Sequence, residues 1–222
     1  MPDVSTTEME GFSLGKPALV CRWRLSGCKV PLENRHLRAL GERFVNGKPV
    51  SPELVAWAKQ HVEWSLEPGA AEQPDGVLML IIDEEGQAAM TVGPFEPLAA
   101  TTLTALAERS VSASREALKT GVAPEGLWAV NDGVILWGTN AEQRPSGSAT
   151  LVRDLLKTLG MTVTRMPGLA EMVLDGTIDV EEAFLVSDEF GVVPASDKPR
   201  IMGDKLADGY ARLLERTMKR RR

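Results

Sequence analysis

Cysteine is scarce: in 222 residues there are two, Cys21 and Cys28. They make no disulfide framework and no zinc-ligand spacing. Histidine is equally rare. His36 and His61 have no helical i, i+4 partner, so a metal site is not expected. Positive charge is in deficit. The formal net charge is −6 and the pI about 5.1, which argues against nucleic acid as a partner, because phosphate neutralisation supplies most of that affinity. The one basic cluster, Lys219-Arg220-Arg221-Arg222, reads as a solvated tail ending a helix, where cations complement the negative end of the macrodipole. No apolar run approaches the ~20 residues of a membrane span. Met1 to Phe12 is acidic and polar, unlike a signal peptide. These absences predict a cytoplasmic soluble protein with neither nucleic acid nor membrane as partner.

What is present is a core. Hydrophobic residues make up 43% of the chain, enough for one large domain or two small ones. After an arm over 1–17, Ala18 to Leu25 alternates as a strand. Ser26-Gly27 turns it, and Lys29 to Leu32 can return as a second strand. Leu32, His36, Leu37, Leu40 and Phe44 recur at helical spacing, and Asn46-Gly47 breaks that helix. Ser51 and Pro52 open the next helix as N-cap and first helical residue. Val77 to Ile82 is the clearest strand, with Gln87 to Val92 as its partner.

Gly93-Pro94-Phe95-Glu96-Pro97 suits a chain crossing between lobes. The expected organisation is a small α+β lobe over 18–92, a linker over 93–100 and a larger α+β lobe over 101–222. In the second lobe, Thr102 to Lys119 is a helix closed by Gly121. Asn131-Asp132-Gly133 is a hairpin signal between 127–130 and 134–137. Ser148 to Leu159 is a helix, Thr162 to Thr164 a strand and Leu169 to Leu174 a short helix. Ala183 to Val186 and Gly191 to Pro194 read as strands, and Asp204 to Met218 as a final helix. Strands and helices mix without strict alternation, which favours α+β over a doubly wound sheet.

Three stretches carry a family resemblance. They are VCRWRLSGCKVPLENRHLRAL (Val20 to Leu40), DGVILWGTNAEQRPSGSATLVRDLLKTLG (Asp132 to Gly160), and the segment from Val163 to Asp197 with Glu182-Ala183-Phe184-Leu185 and Gly191-Val192-Val193-Pro194. In order and spacing the chain resembles the class IV aminotransferases, fold type IV of the pyridoxal-phosphate enzymes. That family includes branched-chain and D-amino-acid aminotransferases and aminodeoxychorismate lyase. The resemblance implies a two-lobed α+β fold, a homodimer and a cleft for pyridoxal phosphate. The chain is shorter than typical members, and the opening hairpin and one strand pair of the second lobe are not found.

The chemistry of that family departs at four places. A Schiff base needs a lysine amine. The family's place for it reads Ala99-Ala100-Thr101-Thr102-Leu103-Thr104, and no lysine lies between Lys59 and Lys119. Lys119 itself falls about four helical turns away. Ala39 stands where the phosphate arginine should follow His36, and Arg38 is rotated by ~100° to another helix face. The segment with the pyridine-facing acid is deleted or represented by Trp137-Gly138-Thr139. Asp188 aligns with a phosphate-facing threonine, where a carboxylate repels a phosphate.

Ser146-Gly147-Ser148 has two readings, an anion-binding helix N-terminus and an ordinary serine N-cap. Arg22-Trp23-Arg24 also has two. It is either a cleft wall for an anionic aromatic ligand or a strand with Trp23 in the core and both arginines outside. The residues of a degenerate cleft are thus Arg24, His36, Ala39, Ser146, Gly147, Ser148 and Asp188, with no catalytic residue and no cofactor expected. A small anionic ligand in the cleft remains open. So do an active pyridoxal-phosphate aminotransferase or lyase, and another chemistry using Asp188, Glu189 and His36.

Overall fold

The computed structural model describes residues 13–66, 72–140 and 142–219. Most of the N-terminal arm, the start of the loop after Leu66 and the terminal arginines lie outside the described residues. Two main sheets organise the chain. The first joins β1 (Pro17–Arg24), β4 (Val77–Asp83) and β5 (Ala88–Gly93), all antiparallel, with β4 in the middle. Its period-2 pattern does the sorting. Leu19, Cys21 and Trp23 point to one side with Leu78, Leu80 and Ile82, and pack on α1 (Glu33–Gly41) and α2 (Pro52–Leu66). Each such apolar side chain stabilises by roughly 1.5–3 kcal/mol when fully buried. Cys21 is inert in this core: burial pushes its thiol up to about 12.

Three expectations are corrected here. Lys29 to Leu32 is not a strand. The chain closes a tight turn, with reciprocal Ser26 and Lys29 backbone bonds, and β1 pairs with the distant β4. The reason is length: four residues with a proline among them cannot compete with the seven-residue apolar ladder at Val77–Asp83. The first helix stops at Gly41, so Phe44 lies in β2 (Phe44–Val45) and is 48% exposed. Asn46 and Gly47, both at positive φ, turn β2 into β3 (Lys48–Pro49). The final helix starts earlier than Asp204.

The second sheet has the order β10-β9-β6-β7-β8. Its strands are β6 (Gly126–Asn131), β7 (Val134–Trp137), β8 (Val163–Arg165), β9 (Glu182–Ser187) and β10 (Gly191–Pro194). Only β7–β8 is parallel, and α4 (Gly147–Thr158) crosses between them. Both faces are covered, so the strands read as continuous apolar runs. Trp128, Val130, Phe184 and Val186 face α4 and α6 (Ile201–Lys219). Leu127, Ala129, Ala183 and Leu185 face α3 (Leu103–Thr120) and α5 (Leu169–Leu174). Thr102 caps α3 by accepting from the Ala105 amide, and Gly121 ends it at positive φ. A side chain at Gly121 would run into the Ala18 carbonyl, so this glycine lets α3 end directly against β1.

Candidate functional site

The two sheets meet along the outer face of β1 and the β9–β10 turn. The odd-numbered residues of β1 belong to its own core, so Arg22 and Arg24 face the second lobe. Arg22 pairs with Glu116 of α3 at 2.7 Å. The Arg24 amide donates to the Asp188 carbonyl at 3.0 Å. The Arg24 guanidinium lies 3.4 Å over the Phe95 ring, Phe95 touches Phe190, and Arg109 caps Phe190 from beyond. Arg109 is held in turn by two hydrogen bonds to Glu125. Burial pushes the Glu189 carboxyl up against the pull of Arg22. Two cations thus flank a pair of phenylalanine rings between the sheets. Trp23 is in the core; Arg22 is paired with Glu116, whereas Arg24 lies on the Phe95 ring with its Nη1 buried and without a hydrogen-bond partner.

The predicted cleft residues divide. His36, Gly147, Ser148 and Asp188 come together; Ala39 does not join them with any polar group. Leu32, at positive φ, starts α1 and aims His36 inward, where its ring stacks on Trp23 at 5.2 Å between centroids. His36 is 1% exposed and its Nδ1 lies 3.4 Å from Asp188 Oδ2. The turn before α4 requires glycine at 147: a Cβ there would sit 2.5 Å from His36 Nδ1. Ser146 serves as the N-cap, accepting from the Ala149 amide. The Ser148 amide donates to Asp188 Oδ1 at 2.7 Å. Ala39 is buried on α1, whereas Arg38 is exposed and donates to the Asn34 carbonyl, on the other face.

Asp188 therefore accepts at the N-terminus of α4, where a helix presents unpaired amides and positive partial charge. Burial alone would push its carboxyl up. The attraction of His36 and the hydrogen bond from the Ser148 amide outweigh that, and hold it at about 2. The neighbouring Tyr210 hydroxyl is pushed up to about 12 by burial and by the Asp188 charge. A carboxyl depressed in the folded state adds stability above its unfolded value near 3.8, and that stability is lost as pH falls through about 2. The contribution is about 2 kcal/mol. In urea titrations between pH 5 and 2, Asp188→Asn is expected to flatten this part of the profile, with Tyr210 and Arg24 uncharged or unchanged in that window. Parallel profiles for the two proteins would refute the assignment.

Sequence reasoning missed Phe95, Phe190, Arg109, Glu125 and Tyr210. No spacing joins them; they meet only because the β9–β10 turn docks on β1. Neither of two further cavities is lined by His36, Gly147, Ser148 or Asp188. A slot of about 20 Å³ sits beside Trp128, Trp137 and Ser146. A shallow groove of about 700 Å³ runs between α1 and α2 past Arg38 and Lys59. Among the described residues no cluster could hold a metal, and no helix is long and apolar enough to cross a membrane.

No family model and no curated protein matches the sequence. Solved structures do match. A fold IV-transaminase from Curtobacterium pusillum aligns over 95% of this chain and 90% of its own, with a TM-score of 0.60 at 15% identity. The 4-amino-4-deoxychorismate lyase of Pseudomonas aeruginosa aligns over 88% and 90%, with a TM-score of 0.57 at 17% identity. A hypothetical aminotransferase from Mycobacterium tuberculosis, in its PLP-bound form, aligns over 93% and 90%, with a TM-score of 0.55 at 15% identity. By its element order, its two sheets and these alignments, the chain has the two-lobed α+β fold type IV of the class IV aminotransferases.

Proposed function

We propose that this protein keeps the class IV aminotransferase fold without its pyridoxal-phosphate chemistry and acts as a non-catalytic, homodimeric member. The observation that carries this reading is the missing amine. The stretch 99–104 leads straight into α3 and carries no side-chain amine. Lys119, the first lysine after Lys59, is exposed in the last turn of α3. An 18-residue helix is about 27 Å long, so that amine is far from the stretch 99–104 where the family pattern places its lysine. Pyridoxal phosphate does not fit the residues present. A phosphate at the start of α4 would meet the Asp188 carboxylate, already bonded to the Ser148 amide. Ala39 offers no guanidinium, and hydrogen bonds to a charged group are worth roughly 1.5–3 kcal/mol each.

The test is incubation of the purified protein with pyridoxal phosphate, an absorbance spectrum, borohydride reduction and peptide mass mapping. The expected result is no near-visible band and only scattered surface adducts. A band with one reduced lysine, Lys119 above all, would establish the alternative, an active pyridoxal-phosphate aminotransferase or lyase acting on an amino acid or aminodeoxychorismate-type substrate. Sedimentation of the same preparation at micromolar concentration should give the dimer mass; a monomer would remove the homodimer from the proposal.

A further inference from the structure

We infer that Asp188 is a built-in anion: its carboxylate plugs a latent phosphate site formed by the N-terminus of α4, His36 and Ser148. The class of ligand is inorganic phosphate or a phosphate monoester, and the native side chain competes it out.

The chemistry of the pocket is that of an anion site. The Ser148 amide points at Asp188 Oδ1 from 2.7 Å, a charge-assisted length. Two further polar atoms are aimed at the same place. His36 Nδ1 and Ser148 Oγ are buried and lack a regular hydrogen-bond partner, in residues 1% and 0% exposed. His36 Nδ1 faces both the Asp188 carboxylate and the Cα of Gly147, which has no side chain to block it. Buried polar groups are nearly always paired, so one carboxylate leaves this cradle under-used. A tetrahedral dianion offers more acceptor positions than a carboxylate and would satisfy all three donors. Asp188 excludes it in two ways, by filling the space and by repelling the charge. The arrangement is held from the other lobe as well, because the Asp188 carbonyl is tied to the Arg24 amide.

This inference deepens the proposal above but stands apart from it, since phosphate binding needs no lysine. The experiment compares the whole protein with Asp188→Thr in inorganic phosphate against chloride at matched ionic strength, by thermal unfolding and calorimetric titration. The native protein should show no phosphate-specific shift. Asp188→Thr should unfold at lower temperature in chloride and regain about 5 °C in saturating phosphate, as binding to the folded state requires. Adding His36→Gln should weaken phosphate binding at least tenfold. If Asp188→Thr does not fold, Asp188→Asn keeps an acceptor for the Ser148 amide, removes the charge, and should bind phosphate at least tenfold more tightly than the native protein. Phosphate binding by the native protein with the Asp188→Thr affinity, or a folded variant indifferent to phosphate, would overturn the inference. A reduced pyridoxal adduct would instead count against the previous section alone.

Discussion

Replacing Asp188 by alanine is expected to lower the unfolding free energy by about 3–5 kcal/mol, since the Ser148 amide and His36 both lose a charged partner and such contacts are worth roughly 1.5–3 kcal/mol each. A domain of ordinary stability has about 5–15 kcal/mol in total, so the variant would be marginal. The carboxylate has three attachments: the Ser148 amide, His36 and, through its own backbone, the Arg24 amide. Alanine keeps the last and loses the first two. The Ser148 amide then has no acceptor in a buried turn, and an unmet buried donor costs about 1–3 kcal/mol. His36, wedged between Trp23 and Gly147, cannot turn to find another partner. Urea unfolding at pH 7 measures the loss. A double-mutant cycle with His36→Gln separates the pair from the amide, and contacting residues of this kind couple by about 0.5–3 kcal/mol. Loss below 1 kcal/mol, with no coupling, would mean that Asp188 is merely a turn residue.

The sequence carried the fold further than the site. Trp128, Phe184 and their neighbours alternate with Leu127, Ala183 and Leu185, and a sheet covered on both faces follows from such runs. Thr102 and Gly121 mark the ends of α3 as caps should. Local turn chemistry was less informative. Leu32 takes a positive φ that its side chain disfavours, and Lys29 to Leu32 looked extended because nothing nearby in sequence announced the Val77–Asp83 ladder. For the site, motif position identified His36, the Pro-Ser-Gly-Ser turn and Asp188. It treated Asp188 only as a source of repulsion toward a phosphate. Three-dimensional placement makes the same carboxylate the ligand of the helix. Phe95, Phe190 and Arg109 were not legible at all, since a cation–ring row drawn from three separate segments has no sequence period.

The place where the family pattern has an acid offers the second large effect. That segment is either deleted or represented by Trp137-Gly138-Thr139, where Trp137 stacks on Trp128 at 4.7 Å with the rings 13° apart. Phe184 extends the stack on the far side of Trp128. Arg165 lies over Trp137, and Gly138 fits only because a Cβ would press on the Leu127 carbonyl and the Leu169 side chain. The adjoining slot of about 20 Å³ and a cavity of about 100 Å³ lined by Gly138 and Thr139 are both below the ~300–1,000 Å³ of ligand pockets. This region is core, and Trp128→Ala is expected to cost about 3–5 kcal/mol, as buried tryptophans do. Trp128→Phe should cost much less. The indole Nε1 is buried without a hydrogen-bond partner, so phenylalanine removes an unsatisfied donor while keeping the stack on Trp137. Were the aromatic pair instead the floor of a working ligand site, Trp128→Ala would leave urea stability within about 1 kcal/mol of the native protein, as surface changes usually do. Denaturation midpoints for the two variants, side by side, decide between a packed aromatic plug and a pocket.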